Sequence, residues 1–145
     1  MKLTKFFENN NFKVDTSGKS PALFLKNSIK INKKVVNELI KLSKLNNDIN
    51  VRICMHKNKN SIIHNMIVLI NKSQKYYKHL HPKSEEIYHL LEGKMKILET
   101  NRKKIIKKTL LVNQGDIYVV GKNVEHIALP ISLYTIFHEI KLNEI

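Results

Sequence analysis

The chain has a single cysteine, Cys54, which excludes an internal disulfide and a zinc-ribbon thiolate set and fits a reducing cytoplasm. Glycines number only four and form no Gly-rich phosphate loop, so nucleotide hydrolysis by that route is unsupported. No Ser-His-Asp ordering is present, and serine or thiol catalysis is equally unsupported. No apolar run approaches the roughly 18 residues of a membrane span. The opening MKLTKFFENNNFKV also lacks the roughly 7–15-residue apolar stretch of a signal peptide, so a soluble cytoplasmic protein is expected, with no membrane partner. Acidic residues are scarce, 12 against 26 Lys and Arg, for a formal charge of +14. That balance points toward nucleic acid. The positive charge, however, is nearly all lysine, with only Arg52 and Arg102 besides, and it runs from Lys2 to Lys141 without interleaved aromatics. The mixture of Lys, Asn and Ile is what an AT-rich genome produces. We read a solvated lysine surface with no nucleic-acid partner, and an anionic sugar nucleotide or phosphorylated sugar as the more natural ligand.

At 145 residues the chain is one domain's length, enough to bury a core without staples. Residues 1–20 are polar and interrupted by Asn9-Asn10-Asn11 and Ser17-Gly18-Lys19-Ser20-Pro21, and read as a loosely held lead-in. Ala22 to Lys26 offers a short edge strand. Asn32 is placed to cap a helix to about Leu45, with Val35, Val36, Leu39, Ile40 and Leu42 as its apolar stripe. From Val51 onward short β-like runs follow one another: Val51–Met55, His64–Ile70, Tyr76–His79, Glu86–Leu91, Lys94–Glu99, Ile105–Val112, Asp116–Val120, His126–Leu129 and Leu133–Ile140. Regular short strands between turns predict an all-β sandwich or barrel over 49–145, behind an extension over 1–48 with one helix. Thr100-Asn101-Arg102 is the expected tip of a basic hairpin.

Seven histidines are spread along the chain, and three of them fall on a regular ruler. HLHPKSEEIYHLLEG reads His79-x-His81-x4-Glu86-x6-Gly93, and GDIYVVGKNVEH reads Gly115-x5-Gly121-x-Asn123-x2-His126. Side chains two apart on a strand share a face, so His79 and His81 can grip one ion. The turn at Pro82, Lys83 and Ser84 lets the next strand return with Glu86, and bends at Gly115 and Gly121 bring a later hairpin across with His126. Three imidazoles and a carboxylate suit one divalent transition metal ion, iron, manganese, nickel, cobalt or zinc, better than calcium or magnesium. Four protein ligands leave one or two positions open for substrate or water.

These two segments resemble the paired motifs of the cupin superfamily. Gly121 stands where those proteins usually carry proline, and Asn123 where they usually carry glycine; Asn tolerates left-handed backbone better than most residues. RICMH at 52–56, HNMIVLI at 64–70 and IFHEI at 136–140 extend the similarity to the WbuC-type cupin-fold metalloproteins of surface-polysaccharide gene clusters. The resemblance spans about residues 20 to 141. It implies a small antiparallel cupin β-barrel, or jelly roll, with a short helical N-terminal extension, and it leaves room for a homodimer.

Arg52, Cys54 and His56 alternate and therefore share one face. Two readings stand open: an edge strand with surface Arg and His around a buried Cys, or a cavity wall where Arg52 binds an anion and His56 moves a proton. The resemblance favours the second. Tyr88 shares the face of Glu86 and is a candidate catalytic residue, with core packing as its competing role; either Tyr76 or Tyr77 also faces inward. His64 and His138 read as packed strand histidines, and alternation turns His89 away from the metal. The leading functional expectation is an isomerase or epimerase of sugars or sugar nucleotides. An iron-dependent dioxygenase and a non-catalytic metal- or sugar-binding module are the alternatives.

Overall fold

In the computed structural model, residues 1–10, 12–100 and 106–142 are described. Two short elements, α1 (Lys5–Asn9) and β1 (Lys13–Asp15), precede β2 (Ala22–Phe24) and the helix α2 (Lys33–Leu45). Eight strands follow: β3 (Val51–Cys54), β4 (Ile63–Asn71), β5 (Glu86–Glu92), β6 (Lys94–Thr100), β7 (Ile106–Asn113), β8 (Ile117–Val120), β9 (Glu125–Pro130) and β10 (Tyr134–Leu142). They form a seven-stranded sheet in the order β1-β2-β3-β4-β10-β5-β8 and a three-stranded sheet in the order β7-β6-β9. All pairings are antiparallel except β2 with β3.

Alternation on the large sheet assigns its two faces. Ile53, Ile67, Leu69 and Ile136 pack outward under α2, against Val35, Val36, Leu39 and Leu42. The helix begins where expected, because the Asn32 side chain accepts a hydrogen bond from the Val35 amide at 3.2 Å. The inner face carries Ile70, Tyr88, Leu90 and Phe137, which meet Met95, Ile97 and Val112 of the small sheet. Two layers with one helix on the outside are therefore sealed by two cores. Gly93 turns β5 into β6 at φ +84°, and a Cβ there would lie 2.6 Å from the Tyr134 carbonyl oxygen. Asn123 adopts φ 59°, the left-handed conformation that its type tolerates.

Three features depart from the expectations. The expected loose lead-in is anchored at Phe7 and Phe12, which join the core beneath α2 with their rings 5.2 Å apart. β2 is an interior strand, with β1 on one side and β3 on the other, so the large sheet runs across residue 48. Tyr76–His79 is not a strand; it pairs only through a bridge from His79 to His126. The expected hairpin tip at Asn101 and Arg102 lies outside the described residues. Among the described residues no helix is long and apolar enough to cross a membrane.

Candidate metal centre

The bridge between His79 and His126 organises the site. The His79 amide donates to the His126 carbonyl at 2.9 Å and the His126 amide returns the bond at 2.8 Å. Directly opposed antiparallel residues project to the same side, which brings the two imidazole centroids to 4.3 Å. His81, two residues on, is tied to the β8–β9 turn by the Asn123 amide, which donates to the His81 carbonyl at 3.0 Å. Glu86 enters from the start of β5, between Val120 of β8 and Lys141 of β10.

The donor atoms of His79, His81 and Glu86 lie within 4.8 Å of one another, a potential metal site. The Nε2 atoms of His79 and His81 are each 3.3 Å from Glu86 Oε2, and His126 Nε2 is 2.8 Å from the same oxygen. His126 therefore joins the cluster through Glu86. The side chains of Glu86 and His126 are each 1% exposed, whereas His79 is 42% exposed, so the cluster is anchored at its base and open on one side. Burial pushes the Glu86 carboxyl up, but hydrogen bonds from His126, His79 and His81, with the charge of Lys141, outweigh it and hold Glu86 well below the usual carboxylate range. A permanently ionised carboxylate among imidazole nitrogens is a donor set that fits a borderline transition metal.

Partners behind the clustered side chains hold them in place. His126 Nδ1 donates to the Val124 carbonyl at 3.0 Å, turning Nε2 toward Glu86. The Tyr88 hydroxyl lies 3.3 Å from His126 Nε2. Burial raises the Tyr88 phenol well above its ordinary value, and the charges of Glu86 and Glu139 add to that, so Tyr88 stays neutral. Glu139 and Lys141 were not singled out in the sequence, yet they stand beside Glu86 on the inner face of β10. Lys141 Nζ is 3.5 Å from Glu86 Oε1 and 3.2 Å from Glu139 Oε1. Burial raises the Glu139 carboxyl, with Glu86 adding and Lys141 opposing. Thr135, Phe137, Glu139 and Lys141 alternate in sequence, but that they face Glu86 depends on the β5–β10 register, which no local pattern reveals.

The cluster opens into a cavity of about 850 Å³ whose walls include Arg52, Tyr76, Tyr77, Tyr88, Glu139 and Lys141. A second cavity, of about 370 Å³, adjoins it and shares Arg52, His81 and Lys141. His56 and His64 line this second cavity with their rings stacked 4.5 Å apart, and Cys54 lines it as well. Arg52, Cys54 and His56 therefore keep to one face, which is the inner one. His138 and His89 are opposite each other on β10 and β5, on the outer face, and His138 Nε2 is 2.5 Å from Asn65 Oδ1.

No family model and no curated protein matches the chain. Among solved structures it is similar to KdgF from Halomonas sp., at 12% identity over 64% of this chain and 79% of that one, with a TM-score of 0.52. The cupin domain of Cnp3 from Schizosaccharomyces pombe superposes with a TM-score of 0.53 at 9% identity, over 66% of this chain and 61% of that one. The fold is the cupin fold. A double-stranded β-helix domain protein from Klebsiella pneumoniae subsp. pneumoniae agrees, with a TM-score of 0.52 at 15% identity over 64% of this chain and 71% of that one. At such identities the likeness concerns the fold alone, and the chemistry rests on this chain's own side chains.

Proposed function

We propose that this cupin is a metal-dependent enzyme of the WbuC type, acting on a sugar or sugar nucleotide in the making of O-antigen-type surface polysaccharide, by isomerisation or epimerisation. The observation that carries this reading is the opening of the His79, His81 and Glu86 cluster into a cavity of about 850 Å³. That volume lies in the range of roughly 300–1,000 Å³ typical of small-ligand sites, and a purely structural metal site is closed by its ligands. The polysaccharide setting is supported by RICMH, HNMIVLI and IFHEI.

In this proposal His79, His81, Glu86 and His126 hold one divalent transition metal ion, which supplies Lewis-acid polarisation of a sugar carbonyl or hydroxyl. Arg52 binds the anionic part of the substrate, and Tyr76 and Tyr77 flank the ring. Burial lowers the His56 pKa below the ordinary imidazole value, so His56 is neutral at pH 7 and able to accept a proton. Tyr88, a neutral phenol whose hydroxyl lies 3.3 Å from His126 Nε2, lines the cavity beside Glu86 and offers a hydrogen bond to a bound substrate once that nitrogen is taken by the metal.

The test is solvent deuterium exchange. Metal-loaded protein is incubated with a panel of sugar phosphates and nucleoside-diphosphate sugars in heavy water and followed by proton NMR. Metal-dependent exchange at a ring carbon, absent in Glu86→Gln, is the expected result. Binding without exchange favours the non-catalytic module, and oxygen uptake by the iron-loaded protein favours the dioxygenase.

A further inference from the structure

The smaller cavity beside the metal centre has an unusual charge balance. Its ionisable walls are Arg52, Lys59 and Lys141 with three histidines and Cys54, and no carboxylate lines it. Lys141 is already engaged by Glu86 and Glu139. Arg52 is not engaged in this way. Among the described residues it has no carboxylate partner, and its Nε is buried without a hydrogen bond, with Cys54 next to it in the cavity wall. A buried guanidinium N–H with no acceptor is costly to keep, and an ordered water, an ion or a ligand has to supply one.

The histidines complete the arrangement. His64 Nε2 donates to the Lys59 carbonyl at 3.1 Å, which holds the Lys59 backbone at the cavity rim. His56 Nδ1 lies against both the amide nitrogen of Asn65, at 3.1 Å, and its carbonyl oxygen, at 3.2 Å, while Nε2 has no hydrogen-bond partner in the protein among the described residues. Gly18 packs close to the guanidinium: a Cβ there would come within 3.2 Å of Arg52 Nη2. We propose that the smaller cavity is a phosphoryl subsite, in which Arg52, His56 and Lys59 hold a phosphate monoester while the rest of the ligand reaches toward His81. Donors of three kinds around one space match a tetrahedral dianion, which offers three oxygens, better than a planar carboxylate, which offers two. The inference rests on the function proposed above only for where the remainder of the ligand lies.

Inorganic phosphate, titrated into the full chain both metal-loaded and after chelation, tests it. Melting temperature and the imidazole resonances of His56 and His64 are the readouts, with acetate as the comparison anion. Saturable phosphate binding is expected in both forms, with a rise in melting temperature and shifted His56 and His64 resonances. Arg52→Met should weaken binding by about 30-fold and Arg52→Lys by about 10-fold, the loss expected for a charge-assisted bidentate contact. In phosphate-free buffer Arg52→Met should melt no lower than the wild type, because an unpartnered buried donor has been removed. Phosphate binding that survives in Arg52→Met, acetate binding as tight as phosphate, or no saturation by about 50 mM would overturn the subsite. Binding lost on chelation would also overturn it, by placing the phosphate on the metal and leaving the metal centre itself intact.

Discussion

Replacing His126 with alanine separates a ligand from a structural residue. The side chain is fully buried, with Nε2 2.8 Å from Glu86 Oε2 and Nδ1 3.0 Å from the Val124 carbonyl. Truncating a buried ring of this size costs about 2–4 kcal/mol, at the lower end of aromatic-to-alanine changes because imidazole is smaller. The lost hydrogen bond to a charged acceptor adds roughly 1.5–3 kcal/mol. Against the roughly 0.05–0.15 kcal/mol per residue typical of a domain, this total of about 3.5–7 kcal/mol should leave metal-free His126→Ala folded at room temperature while melting roughly 10–30 °C lower. Metal affinity should fall by about 100-fold or more, beyond the 10–100-fold typical of a supporting partner. His126→Gln, which keeps a polar group toward Glu86, should recover part of the stability and little of the affinity. Urea melts with and without metal, alongside competition with a chromogenic chelator, read both quantities. Wild-type metal affinity in His126→Ala would remove this residue from the ligand set, and a variant unfolded at room temperature would make the site structural.

Three further outcomes are expected. His56, His64 and His138 are all held below the ordinary imidazole value, burial being the largest cause in each. The stability they confer is present above about pH 6.5 and lost as pH falls below it, because the unfolded chain then takes up protons that the folded chain resists. The urea midpoint of chelated protein should therefore drop between about pH 7.5 and pH 5.5, less steeply in a His56→Gln, His64→Gln double variant; equal slopes would contradict this. Glu139 has the opposite sign: its raised pKa confers stability below the ordinary carboxylate value that is lost as pH rises, so Glu139→Gln should be at least as stable as the wild type at pH 7. A lower urea midpoint for that variant would show that Glu139 is ionised and needed by Lys141. Gly93→Ala meets both a positive φ and the Tyr134 carbonyl, and should cost about 2–4 kcal/mol in the same melts.

Much of the candidate site was legible because three of its side chains are close in sequence. His79, His81 and Glu86 are separated by one turn, so spacing alone brings them together. The capping Asn32 and the alternation of Arg52, Cys54 and His56 are likewise local signals that the fold keeps. What was hidden depends on long-range pairing. Glu139 and Lys141 reach Glu86 only because β10 lies beside β5, a register set fifty residues away. Phe7 and Phe12 sit among asparagines and lysines, where local polarity masks two rings that α2 later buries. Tyr76–His79 has the composition of a strand, but its backbone finds a partner only at His79, so it docks as a bridge.

Elemental analysis of protein purified without a histidine tag tests the metal centre most directly. The wild-type chain is expected to carry about one first-row transition metal ion per molecule, tightly enough to survive dialysis, and Glu86→Gln and His81→Ala are expected to carry almost none. A folded wild-type chain that retains no metal, and that none of iron, manganese, cobalt, nickel or zinc stabilises against heat, would contradict it.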